Sequence, residues 1–190
     1  MTRSVTRFAT PSFAAFAVLA GALAGPALAQ KAETPPAAPA APQTLESPVV
    51  NNKGDTIGKL MIRDGAGAMV VRVTIQPGGL TPGWHGLHFH AVGDCSDTAK
   101  FEKSKAHVNH DSRKHGLLNP DGPDEGDLAN LFANQDGSAN AEVSSETPLN
   151  GEGGLKDGDG AALIIHANED DHNTQPIGGA GDRVACGVIK

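Results

Sequence analysis

From residue 56 onward, short segments of the chain alternate apolar and polar positions. The clearest example is 68–75, in which Met69, Val71, Val73 and Ile75 occupy every second position. Because successive side chains of a strand point to opposite faces, this pattern predicts a strand with one buried face. Further strands are predicted at 56–62, 84–91, 130–133, 139–143, 161–166 and 184–189.

Turn-forming residues separate these segments. The chain contains 24 Gly and 13 Pro, and both Asp64-Gly65 and Asp136-Gly137 fall between two predicted strands. No long stretch shows convincing helical periodicity. Short strands joined by such turns favour an all-β fold, either an antiparallel sandwich or a barrel.

Two segments are too long to be ordinary turns. Residues 92–127 and 168–182 contain no clear strand or helix. Loops of this length in a compact domain are usually functional or disordered. The first loop contains Cys95 together with His107, His110 and His115. We therefore expect a disulfide and a bound metal to order it.

The first residues have the pattern of a secretory signal peptide. Arg3 and Arg7 form a positive region, and an apolar run that is too short to span a bilayer follows. The small-x-small sequence at 27–29 is typical of a cleavage site. We assign 1–29 to an export signal; the alternative is a retained N-terminal anchor helix.

Composition divides the remainder into two parts. Residues 30–45 are rich in Pro and Ala, which predicts a semi-extended linker, and 46–190 can form a single domain.

The chain has 15 Lys and Arg against 22 Asp and Glu, a net charge of −7. Loss of two signal-peptide arginines would leave 13 basic residues and a charge of −9. This charge argues against nucleic acid or an anionic membrane as a partner, and no membrane insertion is expected.

Both cysteines, Cys95 and Cys186, lie in the part expected to be exported. In an oxidising compartment two cysteines most simply form one disulfide. It would close a loop of about 90 residues and, by chain entropy, contribute about 4–5 kcal/mol of stability. The alternative of two metal-binding thiolates is less favoured, because neither cysteine belongs to a Cys-x-x-Cys pair.

Histidines carry the candidate chemistry. Residues 85–90 are His-Gly-Leu-His-Phe-His, and a spacing of two on a strand puts His88 and His90 on one face. Imidazole suits copper, zinc, iron or nickel, although a chance cluster on a half-exposed strand remains an alternative. His166 ends another predicted strand. Convergence of these strands with the first long loop would create a two-metal site.

The order of the motifs is also specific. After 85–90 come Gly93-Asp94, His107-x7-His115-Gly116, Gly126-Asp127-Leu128, His166 and the segment 181–189, Gly-Asp-Arg-Val-Ala-Cys-Gly-Val-Ile. In these motifs and their spacing, 46–190 resembles the copper/zinc superoxide dismutases, above all their exported bacterial form. The resemblance implies an eight-stranded Greek-key β-barrel or sandwich whose two long loops form a metal site. It also implies a periplasmic location.

The resemblance further implies the residues of the site. The copper ligands would be His88, His90, His107 and His166. The zinc ligands would include His107, as a bridge between the metals, together with His115 and Asp127. Asp170 would link one ligand of each metal, Arg183 would guide the substrate anion, and the family disulfide would join Cys95 to Cys186.

One position departs from the family pattern. The remaining zinc ligand is a histidine three residues before the zinc aspartate, and here that residue is Asp124. A carboxylate can bind zinc, so we expect Asp124 to be the fourth ligand. The alternatives are that His110 replaces it, or that the zinc site is weak or empty.

The implied activity is conversion of superoxide to dioxygen and hydrogen peroxide by one-electron cycling of copper, with zinc as a second metal. His107 would supply a proton and Arg183 would attract superoxide. A noncatalytic copper-binding or copper-delivery module on the same fold is an alternative function. A structural adhesion domain is a third, but it gives no reason for the ligand set. The sequence is compatible with a monomer or a homodimer.

Several other residues have ordinary structural interpretations. We expect His85 to pack and form hydrogen bonds behind the copper ligands, and His172 to be a surface residue of the second loop. Trp84 is expected to pack on its strand. Arg113 and Lys114 are expected to be solvated loop charges that add local positive potential.

Overall fold

The computed structural model describes residues 42–65 and 67–190. The predicted signal peptide at 1–29 and residues 30–41 of the predicted linker lie outside the described residues. Within those ranges the secondary structure consists of strands and one 3₁₀ turn at Glu102–Ser104. The strands are β1 (Gln43–Asn51), β2 (Thr56–Asp64), β3 (Met69–Ile75), β4 (Gly83–His85), β5 (Leu87–His90), β6 (Leu131–Ala133), β7 (Ala139–Ser145), β8 (Ala161–His166) and β9 (Arg183–Ile189). The all-β prediction is confirmed.

The strands form a curled antiparallel sheet. Seven of them pair in the order β5-β8-β9-β1-β2-β3-β7, and β4 pairs with β6 in a separate ladder. β4 continues directly into β5, and β6 is joined to β7 by a short hairpin turn, so the small ladder connects to both edges of the large sheet. Counting β4 and β5 as one interrupted strand gives the eight strands of the expected barrel.

The predicted strand at 84–91 is interrupted at Gly86. There the Gly86 N–H donates to the Asn168 carbonyl (2.7 Å) and the His166 N–H donates to the Gly86 carbonyl (2.9 Å). A Cβ at Gly86 would lie 2.8 Å from the Ala180 Cβ, so any larger residue would displace the second long loop. The loop therefore packs directly on the strand that begins the metal site.

β1 was not among the predicted strands, and it begins at Gln43, inside the predicted linker. Its pattern is weak, because Val49 is its only fully buried residue and Pro48 lies within it. By contrast, β3 buries all four of its predicted inward positions. The Asp136-Gly137 turn also forms as predicted, with Asn134 N–H donating to the Ser138 carbonyl (2.8 Å).

Side-chain alternation places the histidines on the outer face of the barrel. Leu87 and Phe89 of β5 belong to the main core, so His88 and His90 point the other way. β8 is buried along its whole length. Its outer residues Ala162 and Ile164 pack against Phe101 of the first long loop in a second apolar cluster. This loop thus covers the face that carries the histidines.

A disulfide fixes that loop. Cys95 in the first long loop is bonded to Cys186 in β9, with their Cα atoms 5.9 Å apart. The predicted disulfide is confirmed, and its sulfurs are therefore not thiolate ligands. Among the described residues, no helix has the length and apolar character needed to cross a membrane.

Candidate metal centre

Four imidazoles converge outside β5 and β8. His88 and His90 project from β5, and His166 ends β8. His107 of the first long loop forms a single β-bridge with His90, which brings it beside the strand. One ring nitrogen of each of the four lies within 4.8 Å of the other three. The residues predicted to bind copper are thus brought together.

Each of the four rings presents a nitrogen atom that has no hydrogen-bond partner among the described residues. His88 Nδ1, His90 Nε2, His107 Nε2 and His166 Nε2 are buried and accept no hydrogen bond from any described residue. A buried polar atom left in this state costs about 1–3 kcal/mol. A copper ion would use all four lone pairs, so these residues fit the metal.

Backbone carbonyls orient two of the rings. His90 Nδ1 donates to the Lys105 carbonyl (2.7 Å) and His166 Nδ1 donates to the Gly181 carbonyl (3.0 Å). Each bond places the ring hydrogen on Nδ1 and leaves Nε2 free to bind a metal. The two carbonyls belong to the two long loops, one to each.

Burial keeps three of these imidazoles uncharged. It is the main cause that lowers the pKa of His88, lowers the pKa of His90 well below its usual value, and lowers the pKa of His166 to about 3. All three imidazoles are therefore neutral at neutral pH. A neutral imidazole is the form that binds a metal.

A second group lies beside the first and shares His107. It consists of His107, His115, Asp124 and Asp127, whose donor atoms all lie within 4.8 Å of one another. His115 Nδ1 is 2.6 Å from Asp127 Oδ1, and His107 Nδ1 is 3.0 Å from Asp124 Oδ2. These are the residues predicted to bind zinc, and two imidazoles with two carboxylates are a chemically suitable set for that ion.

Protons would compete with a metal ion for the histidine nitrogens of the second group. Burial alone would lower the pKa of His115, but hydrogen bonds with Asp127 and Asp170 raise it to about 10. Burial also lowers the pKa of His107, but hydrogen bonds with Asp124 and Asp127 outweigh this effect, and the pKa is raised. For Asp127, burial favours a higher pKa, yet the two histidines and a backbone N–H lower it. A cation in this pocket, whether a proton or a metal, is therefore strongly favoured.

His110 does not join either group. Its side chain is 47% exposed and its Nδ1 lies 3.6 Å from Glu125 Oε2. The structure thus gives no support to His110 as a replacement for Asp124.

Asp170 connects the two groups. Its Oδ2 accepts a hydrogen bond from His88 Nε2 (2.7 Å), and its Oδ1 is 3.2 Å from His115 Nε2. The carboxylate is buried, which would raise its pKa, but the hydrogen bonds with both histidines lower it. One buried anion therefore contacts a histidine from each group, His88 and His115.

A cleft of about 380 Å³ leads to the histidines, and Arg183 lies on its wall. Arg183 Nη1 donates to the Phe101 carbonyl (2.7 Å) and to Ser104 Oγ (3.1 Å). Burial lowers the pKa of Arg183, but a guanidinium remains charged at neutral pH. Arg113 lines the same cleft and donates to the Gly122 carbonyl. The cleft therefore presents fixed positive charge beside the first group.

Other histidine predictions gave mixed results. His85 is buried as expected, and its Nδ1 lies 2.7 Å from the His166 carbonyl. His172, expected at the surface, is instead only 18% exposed, with Nδ1 3.5 Å from Asp170 Oδ2.

Trp84 is half exposed and packs edge-on against Phe132, with ring centroids 4.9 Å apart.

Sequence reasoning missed two amides that support the site. Asn130 Nδ2 donates to the Asp170 carbonyl (2.8 Å), and the Asp170 N–H donates to Asn130 Oδ1 (3.1 Å). Gln175 makes a comparable pair with His115. No pattern in the sequence could have revealed these contacts, because each one joins an amide side chain to the main chain of a distant residue.

Comparison with known proteins agrees with this arrangement. The family model described as copper/zinc superoxide dismutase (SODC) matches residues 56–189. The chain belongs to the copper/zinc superoxide dismutase family. A superoxide dismutase [Cu-Zn] of Caulobacter vibrioides is 49% identical over 142 residues, which are 72% of this chain and 80% of that protein.

Solved structures of similar fold are consistent with membership of this family. A SOD-like protein from Bacillus subtilis has a TM-score of 0.70 and 31% identity, covering 76% of this chain and 97% of that one. The Cu/Zn superoxide dismutase from Brucella abortus has a TM-score of 0.61 and 26% identity, covering 78% and 100%. The cofactors of the copper/zinc superoxide dismutases are copper and zinc, and the two groups described above suit them.

Proposed function

We propose that this protein is a superoxide dismutase that converts superoxide to dioxygen and hydrogen peroxide. The observation that carries the proposal is the set of four buried ring nitrogens, unpartnered among the described residues, at the end of a cleft that Arg183 lines. When bound there by His88, His90, His107 and His166, copper supplies the one-electron chemistry that the reaction needs. Zinc cannot supply it, because zinc has no accessible redox step.

Arg183 binds and orients the substrate anion. Its Nη1 is held by Phe101 and Ser104, so the guanidinium is fixed before superoxide arrives. A preorganised cation stabilises a small anion without reorganisation cost. The net charge of −7 repels superoxide at long range, and the local field of the cleft must overcome this repulsion.

His107 carries the proton for the product. Its Nε2 faces the first group and its Nδ1 faces Asp124 and Asp127. The two carboxylates raise the basicity of this ring against the effect of burial. Nε2 would hold a proton only when it is not bound to copper, and that proton would then lie beside the bound anion, where the reduced product needs it.

We further propose that Asp124 is the fourth zinc ligand, with His107, His115 and Asp127. Asp124 Oδ1 accepts the Gly126 N–H (3.0 Å), and this bond turns Oδ2 toward His107. Asp170 supports the site from behind through His88 and His115. In Asp124→Asn, zinc affinity should fall about tenfold or more while copper affinity changes less. Unchanged zinc affinity would exclude Asp124 as a ligand.

Copper content and superoxide consumption, measured on one purified sample, test the main proposal. Copper with activity is the expected result. Copper without activity would favour a copper-binding or copper-delivery module, and neither would favour a structural domain. His90→Ala should lose copper and activity together, whereas His110→Ala, a matched change of an exposed histidine outside both groups, should retain both.

The location of the protein is also a proposal. We propose that 1–29 is removed during export, that the Pro- and Ala-rich segment after it is a linker up to β1, and that the domain, which begins with β1 at Gln43, works in the periplasm. The Arg3–Arg7 region and the cleavage sequence at 27–29 support this assignment. N-terminal sequencing of the exported protein should begin at Gln30. Both a monomer and a homodimer remain compatible with the proposal.

A further inference from the structure

The second long loop pairs with the main chain of a zinc-side histidine through one side chain. Gln175 Nε2 donates to the His115 carbonyl (2.8 Å), and the His115 N–H donates to Gln175 Oε1 (3.1 Å). The same Nε2 also donates to the Asn173 carbonyl (3.0 Å). A primary amide offers the same donor and acceptor as a peptide unit. Gln175 therefore pairs with the main chain of His115 as a neighbouring strand would, and so joins the two loops.

The same loop also holds the ring of His115. Asp170 Oδ1 lies 3.2 Å from His115 Nε2, and the His172 carbonyl accepts the Leu118 N–H (3.0 Å). Both the main chain and the side chain of His115 are thus positioned by the segment 168–182. The remaining ring nitrogen, Nδ1, is directed at Asp127 in the second group.

Gln175 also lines the cleft that contains Arg183 and His107. Its amide bonds to the main chains of His115 and Asn173, so both Nε2 and Oε1 have a partner. Gln175 therefore links the main chain of His115 to the second loop at the wall of the cleft, and these bonds are to main-chain atoms and not to the His115 ring.

We propose that Gln175 is a positioning residue of the zinc site, whose amide fixes the main chain of His115 so that zinc affinity depends on the docking of the second loop on the first. The proposal rests on the proposed function, in which His115 binds zinc. Removal of an outer partner of a metal ligand typically lowers metal affinity 10- to 100-fold.

The test compares variants of the full chain. Gln175→Met retains the length of the side chain but removes all three hydrogen bonds, and Gln175→Asn retains the amide but shortens its reach. Gln135→Met is the matched control, because Gln135 is exposed in the turn between β6 and β7. We expect both Gln175 variants to bind zinc about 10- to 100-fold more weakly in chelator competition. The control should stay within about twofold of the original protein.

Amide hydrogen exchange of the metal-free chain gives a second readout. The His115 N–H should exchange at least about tenfold faster in Gln175→Met, since it loses its acceptor. Unchanged exchange, or faster exchange with unchanged zinc affinity, would overturn the proposal. Failure of the original protein to bind zinc would instead contradict the proposed zinc site, while the exchange measurement would still show whether the amide pairs with His115.

Discussion

Reduction of the Cys95–Cys186 disulfide should both destabilise the fold and disturb the substrate cleft. The bond spans 91 residues, so chain entropy predicts a loss of about 4–5 kcal/mol in the free energy of unfolding. It also ties the first long loop to β9, and in that loop the Phe101 carbonyl and Ser104 Oγ hold Arg183. Reduction should therefore weaken the hold on the guanidinium as well.

Urea unfolding of the metal-free protein, oxidised and reduced, measures the first effect. Both samples have the same side chains, so the difference isolates the bond itself. With a slope of about 1–3 kcal/mol per molar urea, a loss of about 4–5 kcal/mol should lower the midpoint by about 1.3–5 M. Metal must be absent, because binding to the native state would add its own stabilisation.

The second effect is measured on the copper-loaded protein. If reduction frees Arg183, then kcat/KM should fall and its dependence on ionic strength should weaken, because a mobile cation directs the anion less well. A loss of stability below about 1 kcal/mol would refute the entropic argument. A reduced enzyme with unchanged kcat/KM would show that Ser104 and Phe101 hold Arg183 without help from the disulfide.

Three further outcomes test the site. Arg183→Ala should lower kcat/KM about tenfold or more without release of copper; loss of copper would mean that Arg183 instead supports the ligands. Added salt should slow catalysis as the Debye length falls from about 30 Å at 0.01 M to about 8 Å at 0.15 M; a rate that rises would show that net repulsion dominates. Since the pKa of His115 is raised to about 10, zinc must displace its proton at neutral pH, and zinc affinity should rise about tenfold or more per pH unit between pH 7 and 9. Calorimetry in buffers of different ionisation enthalpy would count the released protons, and a zinc affinity independent of pH would contradict this assignment.

The parts of the metal site differ in how far the sequence predicted them. The spacing of His88 and His90 was sufficient to place them on one face of a strand, because that depends only on alternation along an extended chain. The positions of His166 at a strand end and of His107 in the first long loop led us to expect convergence in one site. The family resemblance, and not the pattern, assigned each of these residues to a metal.

The position of Asp124 shows a different limit. Its residue type was known, and a carboxylate was expected to reach the second group. Only the folded loop shows that the Gly126 N–H turns this carboxylate toward His107 and that His110 stays outside. These contacts depend on local backbone geometry, which residue type does not specify.

The sequence by itself determined the all-β class, the buried face of β3 and the face on which the β5 histidines lie. Each follows from short-range alternation, in which a residue's side is set by its immediate neighbours. The tertiary structure decided the interruption at Gly86, the early start of β1 at Gln43 and the amide support of Asp170 and His115. These features arise where distant segments pack together, and the energy of such contacts is absent until the loops close over the sheet.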